Sequence, residues 1–275
     1  MSLSDNLIDS FICGDCFEKL RELPDHCVDL VLTDPPYGID YQSNRRVARP
    51  KLPKFENDMD LIWVDGWVDE VHRVLRDDRH FYCFTRFDMY PVFYNSIRRR
   101  FKIKNCLIWV KNNHGSGDLN GSYAPQYEMI IFSVKGKRDL NGARDADVIG
   151  GMNVPSAHRH HATQKPLDVL RQLIEKSTEP DEIVLDPFAG VGSTGLACRF
   201  TQGSKSDGHT RRYVLIELNP DFVEKGRRGG LGRQEVLLEV ERVSREQIPA
   251  KLRPAARTYR VRAKSDRTLT IDFGS

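Results

Sequence analysis

Short apolar runs alternate with longer amphipathic stretches along most of this chain. That alternation is typical of an α/β fold, in which helices cover both faces of a sheet. The apolar runs are nearly continuous in hydrophobicity, as expected of strands that are buried on both sides. The predicted strands are Val28–Thr33, His80–Phe84, Leu107–Val110, Tyr127–Val134, Ile183–Asp186 and Tyr213–Leu218. The predicted helices are Leu61–Leu75, Met89–Arg100, Lys165–Thr178, Ser193–Phe200 and Asp221–Arg227.

Two longer stretches break this alternation. Residues 38–59 are polar, basic and proline-containing, which predicts a mobile loop. Residues 136–161 have no clear periodicity and contain several glycines and three histidines. A long irregular segment inside a compact domain is usually either functional or disordered. Residues 226–232 are rich in glycine and predict a flexible joint to the remainder of the chain, which is basic.

The charge of the chain is nearly balanced overall, but the basic residues are clustered. The 42 Lys and Arg residues exceed the 39 Asp and Glu residues by three, which gives a net charge of +3. A single basic run is commonly a solvated face. Two such clusters fit a phosphate-bearing partner as well as they fit a solvated face. The candidate phosphate contacts are Arg45, Arg46, Arg49, Lys51, Arg257, Arg260 and Arg262.

The six cysteines do not indicate a metal or redox centre. Cys13 and Cys16 form a lone C-x-x-C, and no second pair or suitably spaced histidine pair follows it, so a zinc site is not expected. The start of the chain carries Asp5 and Asp9 where a signal peptide would have a basic stretch and an apolar core. No apolar run approaches the length of a membrane span. We expect a cytoplasmic protein with no bound metal and no membrane partner.

The stretch Leu30–Gly38 carries the most informative motif, in which an apolar run ends in Asp34-Pro35-Pro36-Tyr37. Two prolines fix φ and remove two backbone donors, so the chain must leave the sheet there. The turn presents a carboxylate, carbonyl oxygens and an aromatic ring. The oxygens can accept the N–H bonds of an exocyclic amine while the ring stacks on a flat heterocycle. The alternative is a proline-rich turn with an incidental Asp and Tyr.

A second motif, from Glu182 to Gly195, is typical of a strand, a glycine-rich turn and a helix. Its glycines, which include Gly190 and Gly192, satisfy G-x-G-x-x-G, the fingerprint of dinucleotide sites. Glu217 ends the next predicted strand, where a carboxylate can bind ribose hydroxyls. Taken alone, this pattern indicates a nicotinamide oxidoreductase.

The residues around the glycine turn argue for a different cofactor. Asp186-Pro187-Phe188 replaces the apolar residues that normally lead into a pyrophosphate-binding turn. A carboxylate there repels pyrophosphate and attracts a cation, and the Asp-Pro-Pro-Tyr turn has no role in hydride transfer. S-adenosylmethionine is a phosphate-free nucleoside that carries a sulfonium cation, and it suits this lining better.

The two motifs together resemble those of the DNA amino-methyltransferases, which transfer methyl from S-adenosylmethionine to the exocyclic nitrogen of adenine or cytosine. The resemblance spans roughly residues 11–222. Its motif order, with Asp-Pro-Pro-Tyr before Phe-x-Gly-x-Gly, resembles that of the beta group. Residues 161–166 and 14–16 resemble two further segments on the cofactor side. The resemblance implies a Rossmann-like methyltransferase fold, with a seven-stranded, mostly parallel sheet that contains one antiparallel strand.

The resemblance also implies how the chain is divided. Residues 1–228 would form the catalytic methyltransferase domain. Residues 136–161 would be a target-recognition segment inserted in that domain. Residues 229–275 would form a basic C-terminal extension, which together with the loop after the Asp-Pro-Pro-Tyr turn could contact DNA phosphates.

The resemblance assigns cofactor contacts by position in the motifs. Glu217 would accept hydrogen bonds from the cofactor ribose, and Asp15 would lie near the adenine. Asp186 and Phe188 would line the methionine and sulfonium side. The full set is Asp15, Thr163, Lys165, Asp186, Phe188, Gly190, Gly192, Ser193, Thr194 and Glu217.

Several of these assignments have a simpler structural alternative. Thr163 and Lys165 would reach the methionine carboxylate, yet Lys165 could also simply start a helix. Asp15 could be a turn residue or a helix cap. Gly190 and Gly192 would let the backbone approach the ligand closely, because a Cβ there would crowd it.

The catalytic residues implied by the resemblance are those of the Asp-Pro-Pro-Tyr turn. Asp34 and the Pro35 carbonyl would accept the two N–H bonds of the target amine, with Pro36 shaping the turn and Tyr37 stacking on a flipped-out base. Asp at position 34 favours adenine over cytosine within the family. Cytosine N4, an RNA substrate and a DNA-binding relative without catalysis stay open as alternatives. Double-stranded DNA is the expected partner, and a homodimer and a partner restriction nuclease are compatible with the resemblance.

Overall fold

The computed structural model describes residues 3–36, 62–112, 121–151, 165–201, 211–229, 231, 238–242 and 259–263. Its strands are β1 (Ser10–Cys13), β2 (Val28–Thr33), β3 (Leu75–Thr85), β4 (Lys102–Lys111), β5 (Tyr127–Lys135), β6 (Val148–Gly151), β7 (Ile183–Asp186), β8 (Arg212–Glu217), β9 (Leu238–Arg242) and β10 (Tyr259–Ala263). Its helices are α1 (Cys16–Glu22), α2 (Ile62–Val74), α3 (Tyr90–Ile97), α4 (Leu167–Ser177), α5 (Ser193–Arg199) and α6 (Pro220–Arg228).

Eight of the described strands form one sheet, in the order β1-β8-β7-β2-β3-β5-β4-β6. Strand β5 runs antiparallel to both of its neighbours, and the other neighbouring pairs are parallel. The predicted α/β fold with one reversed strand is therefore confirmed. The sheet has eight described strands and not the seven that the resemblance implied. One strand that was not predicted is β6, which lies at the sheet edge within the stretch that the sequence predicts as irregular. Four residues with two glycines give too little periodicity to reveal it.

The helices cover both faces of this sheet, three on each. Buried side chains of α1, α2 and α3 pack on one face, around Trp67 and Phe93. Those of α4, α5 and α6 pack on the other, around Leu173 and Tyr213. All six residues of β2 are buried, which explains why this central strand has a nearly continuous apolar sequence.

The chain connections create a crevice between β2 and β7. These strands are parallel neighbours, with Leu30 beside Val184 and Val31 beside Leu185. From β2 the chain continues towards β3 on one side, whereas from β7 it continues towards β8 on the other. Open α/β sheets bind ligands at the carboxyl ends of strands where the direction changes in this way. The two sequence motifs leave the sheet at this point.

Element boundaries differ from the predictions mainly at charged residues. Strand β3 begins at Leu75 instead of His80, because residues 76–79, which are all charged, extend it towards the solvent. The short strand β1 was not predicted. Helix α4 begins at Leu167, two residues after the predicted start, because Pro166 is its N-cap.

The described part of the C-terminal extension contains a separate two-stranded antiparallel sheet. Its register places Arg260 opposite Glu241 and Arg262 opposite Glu239. At these two positions, a basic residue of β10 is therefore opposite an acidic residue of β9. Within the described ranges, no helix combines the length and the apolar character needed to cross a membrane.

A candidate active site at the carboxyl edge of the sheet

Polar side chains from both motifs meet at the carboxyl edge of the central strands. Asp34 directly follows β2, Asp186 ends β7 and Glu217 ends β8. Because β5 runs in the opposite direction, its second residue, Glu128, lies at this same edge. Lys165 reaches the edge from the segment that precedes α4. Two of these positions were predicted to serve the target amine and the cofactor ribose, and the fold brings them to one side of one sheet.

Asp34 belongs to a chain of ion pairs. The Nζ of Lys165 lies 2.5 Å from Oδ2 of Asp34 and 2.9 Å from Oε2 of Glu128. The Nζ of Lys111, at the end of β4, lies 2.6 Å from Oε1 of Glu128. Lys165 also lies 5.0 Å from the centre of the Phe84 ring, a favourable place for a cation. Two ammonium groups and two carboxylates thus alternate beside the Asp-Pro-Pro-Tyr turn.

The charges in this cluster support one another. Burial alone would lower the pKa of Lys165, but the charges of Asp34 and Glu128 outweigh burial and raise it. Burial alone would raise the pKa of Glu128, but Lys165 and Lys111 outweigh it and lower the pKa. Lys165 and Glu128 therefore favour each other's charged form, and the positive charge of Lys165 is held by protein carboxylates.

The structure gives Lys165 two partners that the sequence did not predict. Its ammonium lies on two carboxylates of the protein, and a contact with the methionine carboxylate of the cofactor stays a prediction. Its side chain is only 10% exposed, and two anions within 3 Å are a stronger local attraction than the solvent. It lies just before the N-cap of α4, so it does not start that helix either.

The glycine turn is held from inside by Asp186. Its Oδ1 accepts from the backbone N–H of Phe188 at 3.1 Å, and its Oδ2 accepts from the hydroxyl of Thr194 at 2.6 Å. Asp186 is only 5% exposed, and burial raises its pKa to about 6. Asp186 and Thr194 were predicted as cofactor contacts, but the structure pairs them with each other. Together they fix the turn between β7 and α5.

The two glycines of this turn differ in what surrounds them. Both have positive φ, +57° at Gly190 and +87° at Gly192, which favours glycine. A Cβ added to Gly190 would meet no atom of the described residues within 4 Å, so this backbone faces open space in the part of the chain that the structure describes. A Cβ added to Gly192 would lie 2.2 Å from the Leu231 side chain and 3.1 Å from that of Phe11. Core packing therefore requires glycine at position 192, and a close approach of its backbone to a ligand stays a prediction.

Glu217 connects the glycine turn to the end of β8. Its Oε2 accepts from the N–H of Gly190 at 2.9 Å, and its Oε1 accepts from the N–H of Asn219 at 2.8 Å. Burial raises its pKa, while these backbone amides act in the opposite direction. The amides fix both oxygens beside the open space at Gly190. Each oxygen retains the capacity for a second hydrogen bond, which suits the two hydroxyls of a ribose.

Asp15 has the structural role that the sequence left open. Its Oδ1 accepts from the N–H groups of Phe17 and Glu18, so it is the N-cap of α1. The preceding Gly14 donates its N–H to the Glu217 carbonyl at 3.0 Å. The cap therefore lies at the end of β1, next to the end of β8. A position near the cofactor adenine stays a prediction.

Some of the remaining predicted residues are described by the structure, and the others are not. Phe188 packs between α2 and the turn, with its ring centre 5.6 Å from that of Trp67, and Ser193 is the first residue of α5. Pro35 is buried and Pro36 is exposed. The other candidate residues lie outside the described residues, and they are Tyr37, Arg45, Arg46, Arg49, Lys51, Thr163 and Arg257.

Sequence reasoning did not identify Glu128 and Lys111 as partners in one network. Lys111 follows an apolar strand, and Glu128 interrupts the start of another. An acid inside a buried strand is expensive unless it is paired, and this was the available signal. Nothing in the spacing of the sequence shows that the two strands are neighbours.

Known proteins resemble this chain over most of its length. A family model described as DNA methylase, N6_N4_Mtase, matches residues 28–227. The DNA adenine methyltransferase YhdJ of Escherichia coli K12 is 26% identical over 253 residues, which cover 80% of this chain and 81% of YhdJ. The matched range includes both sequence motifs and every strand of the sheet except β1.

Two solved structures share the fold. The complex of M1.HpyAVI with SAM has a TM-score of 0.56 and 21% identity, and the match covers 80% of this chain and 97% of that one. The PvuII DNA methyltransferase, described as cytosine-N4-specific, has a TM-score of 0.60 and 17% identity, covering 85% and 89% of the two chains. At such identities the likeness concerns the fold.

Proposed function

Since the chain belongs to the DNA methylase family, we propose that it transfers a methyl group from S-adenosylmethionine to N6 of adenine in DNA. The observation that carries this proposal is the position of Asp34 and the glycine turn at the ends of two neighbouring parallel strands. An amine acceptor and a nucleoside-binding turn on one sheet edge can bring a nucleophile and a methyl donor together.

The cofactor half of this edge fits S-adenosylmethionine. Gly190 leaves space beside the backbone, and Glu217 presents two fixed carboxylate oxygens to a ribose diol. The buried carboxyl of Asp186 lies behind the turn, where a cation near it would favour its ionised form. When bound, the cofactor supplies an electrophilic methyl carbon on a sulfonium. Its role as donor is consistent with the SAM complex of the structural neighbour M1.HpyAVI.

The part of this edge around Asp34 would activate a weak nucleophile, the amine of the target base. The lone pair of the adenine N6 is delocalised into the ring, so the nitrogen is close to planar. Asp34 and the Pro35 carbonyl would accept its two N–H bonds, which favours a tetrahedral nitrogen with a lone pair directed at the methyl carbon. Because a sulfonium is already a good leaving group, the transfer needs no covalent enzyme intermediate. Positioning and fixed dipoles therefore supply the acceleration. Tyr37 would stack on the base.

The target base must leave the duplex to reach this edge, at a cost of a few kcal/mol. We propose that the basic residues after the Asp-Pro-Pro-Tyr turn and in the C-terminal extension contact phosphates and offset that cost. Residues 136–161 would read the sequence of the target. In this division, residues 1–228 carry catalysis and residues 229–275 add affinity for DNA.

Two observations favour adenine, and one favours the second candidate. Position 34 is Asp, the residue that favours adenine in the resembling motifs, and the relative YhdJ is named as an adenine methyltransferase. The PvuII neighbour is cytosine-N4-specific, so methylation of cytosine N4 is the alternative product.

Nucleoside analysis of methylated DNA tests the proposal. Purified protein is incubated with isotopically labelled S-adenosylmethionine and unmethylated genomic DNA, and the DNA is digested to nucleosides for mass spectrometry. We expect label in N6-methyladenine. Label in N4-methylcytosine would refute the assigned base, and unlabelled DNA despite tight DNA binding would refute the proposed activity.

A further inference from the structure

We propose that Lys165 is a positioning residue for the methyl transfer, which holds Asp34 as the hydrogen-bond acceptor of the target amine, and that Glu128 keeps Lys165 in place. The inference rests on the proposed function, because Asp34 must be the acceptor for its position to matter. It gives Lys165 a role other than the cofactor contact expected from the sequence.

The geometry supports this role. Asp34 follows two buried residues of β2 and precedes two prolines, so its backbone is fixed, but the side chain is 22% exposed and needs a partner to fix its rotamer. The Nζ of Lys165 supplies that partner at 2.5 Å. Lys165 itself is anchored by the second carboxylate, Glu128, on β5. The position of Asp34 is thereby tied to two elements besides its own strand.

Lys165 also affects the electrostatic environment of Asp34. The neighbouring elements present Glu128 from β5, Asp186 from β7 and the thiol of Cys83 from β3, a buried thiol whose pKa is raised by burial. Lys111 from β4 contacts Glu128. Among these groups, Lys165 is the cation that pairs with both Asp34 and Glu128. Without it, two carboxylates would face each other, and protonation of the acceptor would be favoured.

A simple ion pair between Lys165 and Asp34 would not need Glu128. It lies between Lys165 and Lys111 and bonds to both. If Glu128 were neutral, Lys165 would keep its charge through Asp34 but lose one of its two anchors. Loss of Lys165 and loss of Glu128 should therefore affect the pH dependence of catalysis differently, which a purely structural role would not do.

The test measures the single-turnover rate of methyl transfer from pH 5.5 to 9, together with the Kd of S-adenosylmethionine. The variants are Lys165→Met, Lys165→Arg and Glu128→Gln. We expect Lys165→Met to slow transfer at neutral pH by roughly 10- to 100-fold and to move the acid limb of the profile up by roughly 1–3 pH units. The Kd should change less than threefold. Lys165→Arg should restore part of the rate and the wild-type position of the limb.

Glu128→Gln should not move the acid limb to higher pH. It removes a negative charge from the cluster, so the acid limb should stay in place or move to lower pH while the rate falls less than in Lys165→Met. Lys135→Met is the matched control, because Lys135 is also a buried lysine paired with a carboxylate, that of Asp77 at 3.2 Å, but it lies at the opposite end of β5 from Glu128. Its rate per folded molecule should follow the wild-type profile.

Two outcomes would overturn the inference. A wild-type pH profile in Lys165→Met would show that Lys165 does not act through Asp34. A Kd raised tenfold or more at an unchanged rate with saturating cofactor would return Lys165 to the cofactor carboxylate. Failure of the proposed function is distinguishable from both, since wild-type protein would then transfer no methyl group to DNA.

Discussion

Strand β2 has an aspartate near each end, and the structure holds the two in contrasting ways. Asp29 is 1% exposed and accepts from Arg76 at 2.6 Å, from Arg79 at 3.1 Å and from the N–H of Ile183 at 3.0 Å. Its three donors come from β3 and β7, the two neighbours of β2. Asp29 is therefore a joint that fastens three central strands at their amino-terminal edge.

Asp34, five residues later, pairs with an ammonium group that it shares with Glu128. A guanidinium forms several bonds in a fixed plane, whereas an ammonium is a compact charge with rotatable donors. The first arrangement suits a permanent structural contact. The second fixes a carboxylate while leaving it at the sheet edge where ligands bind. If the proposed function is right, one end of β2 serves stability and the other serves chemistry.

Neutralising each aspartate should separate the two roles most strongly. Asp34→Asn replaces a carboxylate oxygen with an amide donor that cannot accept the amine N–H. We expect turnover to fall by roughly 10²–10⁴-fold, with a Kd for S-adenosylmethionine within about threefold of wild type. Methylation rates at saturating cofactor and calorimetric titration measure the two quantities.

Asp29→Asn is the matched substitution at the other end of the strand. It leaves Arg79 and Arg76 without their buried partner and should lower the free energy of unfolding by roughly 3 kcal/mol. The rate per folded molecule should stay near wild type. If Asp34→Asn kept near-normal turnover, or if Asp29→Asn lowered turnover without lowering stability, the division of roles along β2 would be wrong.

A glutamate at the carboxyl end of β8 and another at the amino end of β7 extend the comparison to cofactor binding. Glu217→Gln removes the negative charge and one of the two acceptors for the amides of Gly190 and Asn219. We expect the Kd for S-adenosylmethionine to rise about 10- to 100-fold, which corresponds to the loss of a charge-assisted hydrogen bond. Glu182→Gln, at the amino end of β7, is the control because Glu182 pairs with Arg79 and Arg138. Equal Kd changes in both variants would contradict the assignment.

Asp186 gives the smallest expected effect, and its contacts differ from those of Asp29 and Asp34. Within the described residues it accepts from the Phe188 amide and the Thr194 hydroxyl and pairs with no cation, and burial raises its pKa to about 6. The folded protein thus keeps this proton to a higher pH than the unfolded chain does, so the free energy of unfolding should fall as pH rises from about 4 to about 6. Asp186→Asn does not titrate.

The variant should therefore gain stability over wild type as pH rises, by about 1–2 kcal/mol at pH 7.5. This is roughly the 3 kcal/mol cost of a two-unit pKa shift minus one lost hydrogen bond of ~1 kcal/mol. Denaturant unfolding of both proteins between pH 4.5 and 7.5 measures the difference. A difference that does not change with pH would show that Asp186 does not titrate in this window.

The contrast between the two ends of β2 also shows what the sequence can reveal. The strand, the turn after it and the glycine turn are local features, since apolar runs, prolines and glycines restrict the backbone nearby. The α/β class and the position of Asp34 at a strand end follow from them. Glu217 was also found, because it ends an apolar run.

The partners of these residues depended on contacts between distant segments. Lys165 lies 131 residues from Asp34, and no local pattern shows that its ammonium would bond there. Thr194 bonds to Asp186 instead of facing a ligand, and Gly192 faces Leu231, because the turn packs against the core. Sequence motifs thus predicted which residues lie at the carboxyl edge of the sheet but did not give the direction in which each side chain points.

A crystal structure with S-adenosylhomocysteine tests the central claim most directly, which is that the amine acceptor and the nucleoside site share one edge of the sheet. The account predicts the ribose hydroxyls within hydrogen-bonding distance of the Glu217 carboxylate, with the sulfur on the side of the turn that faces Asp34. A ligand bound at the amino-terminal edge near Asp29, or one whose sulfur is directed away from Asp34, would contradict it.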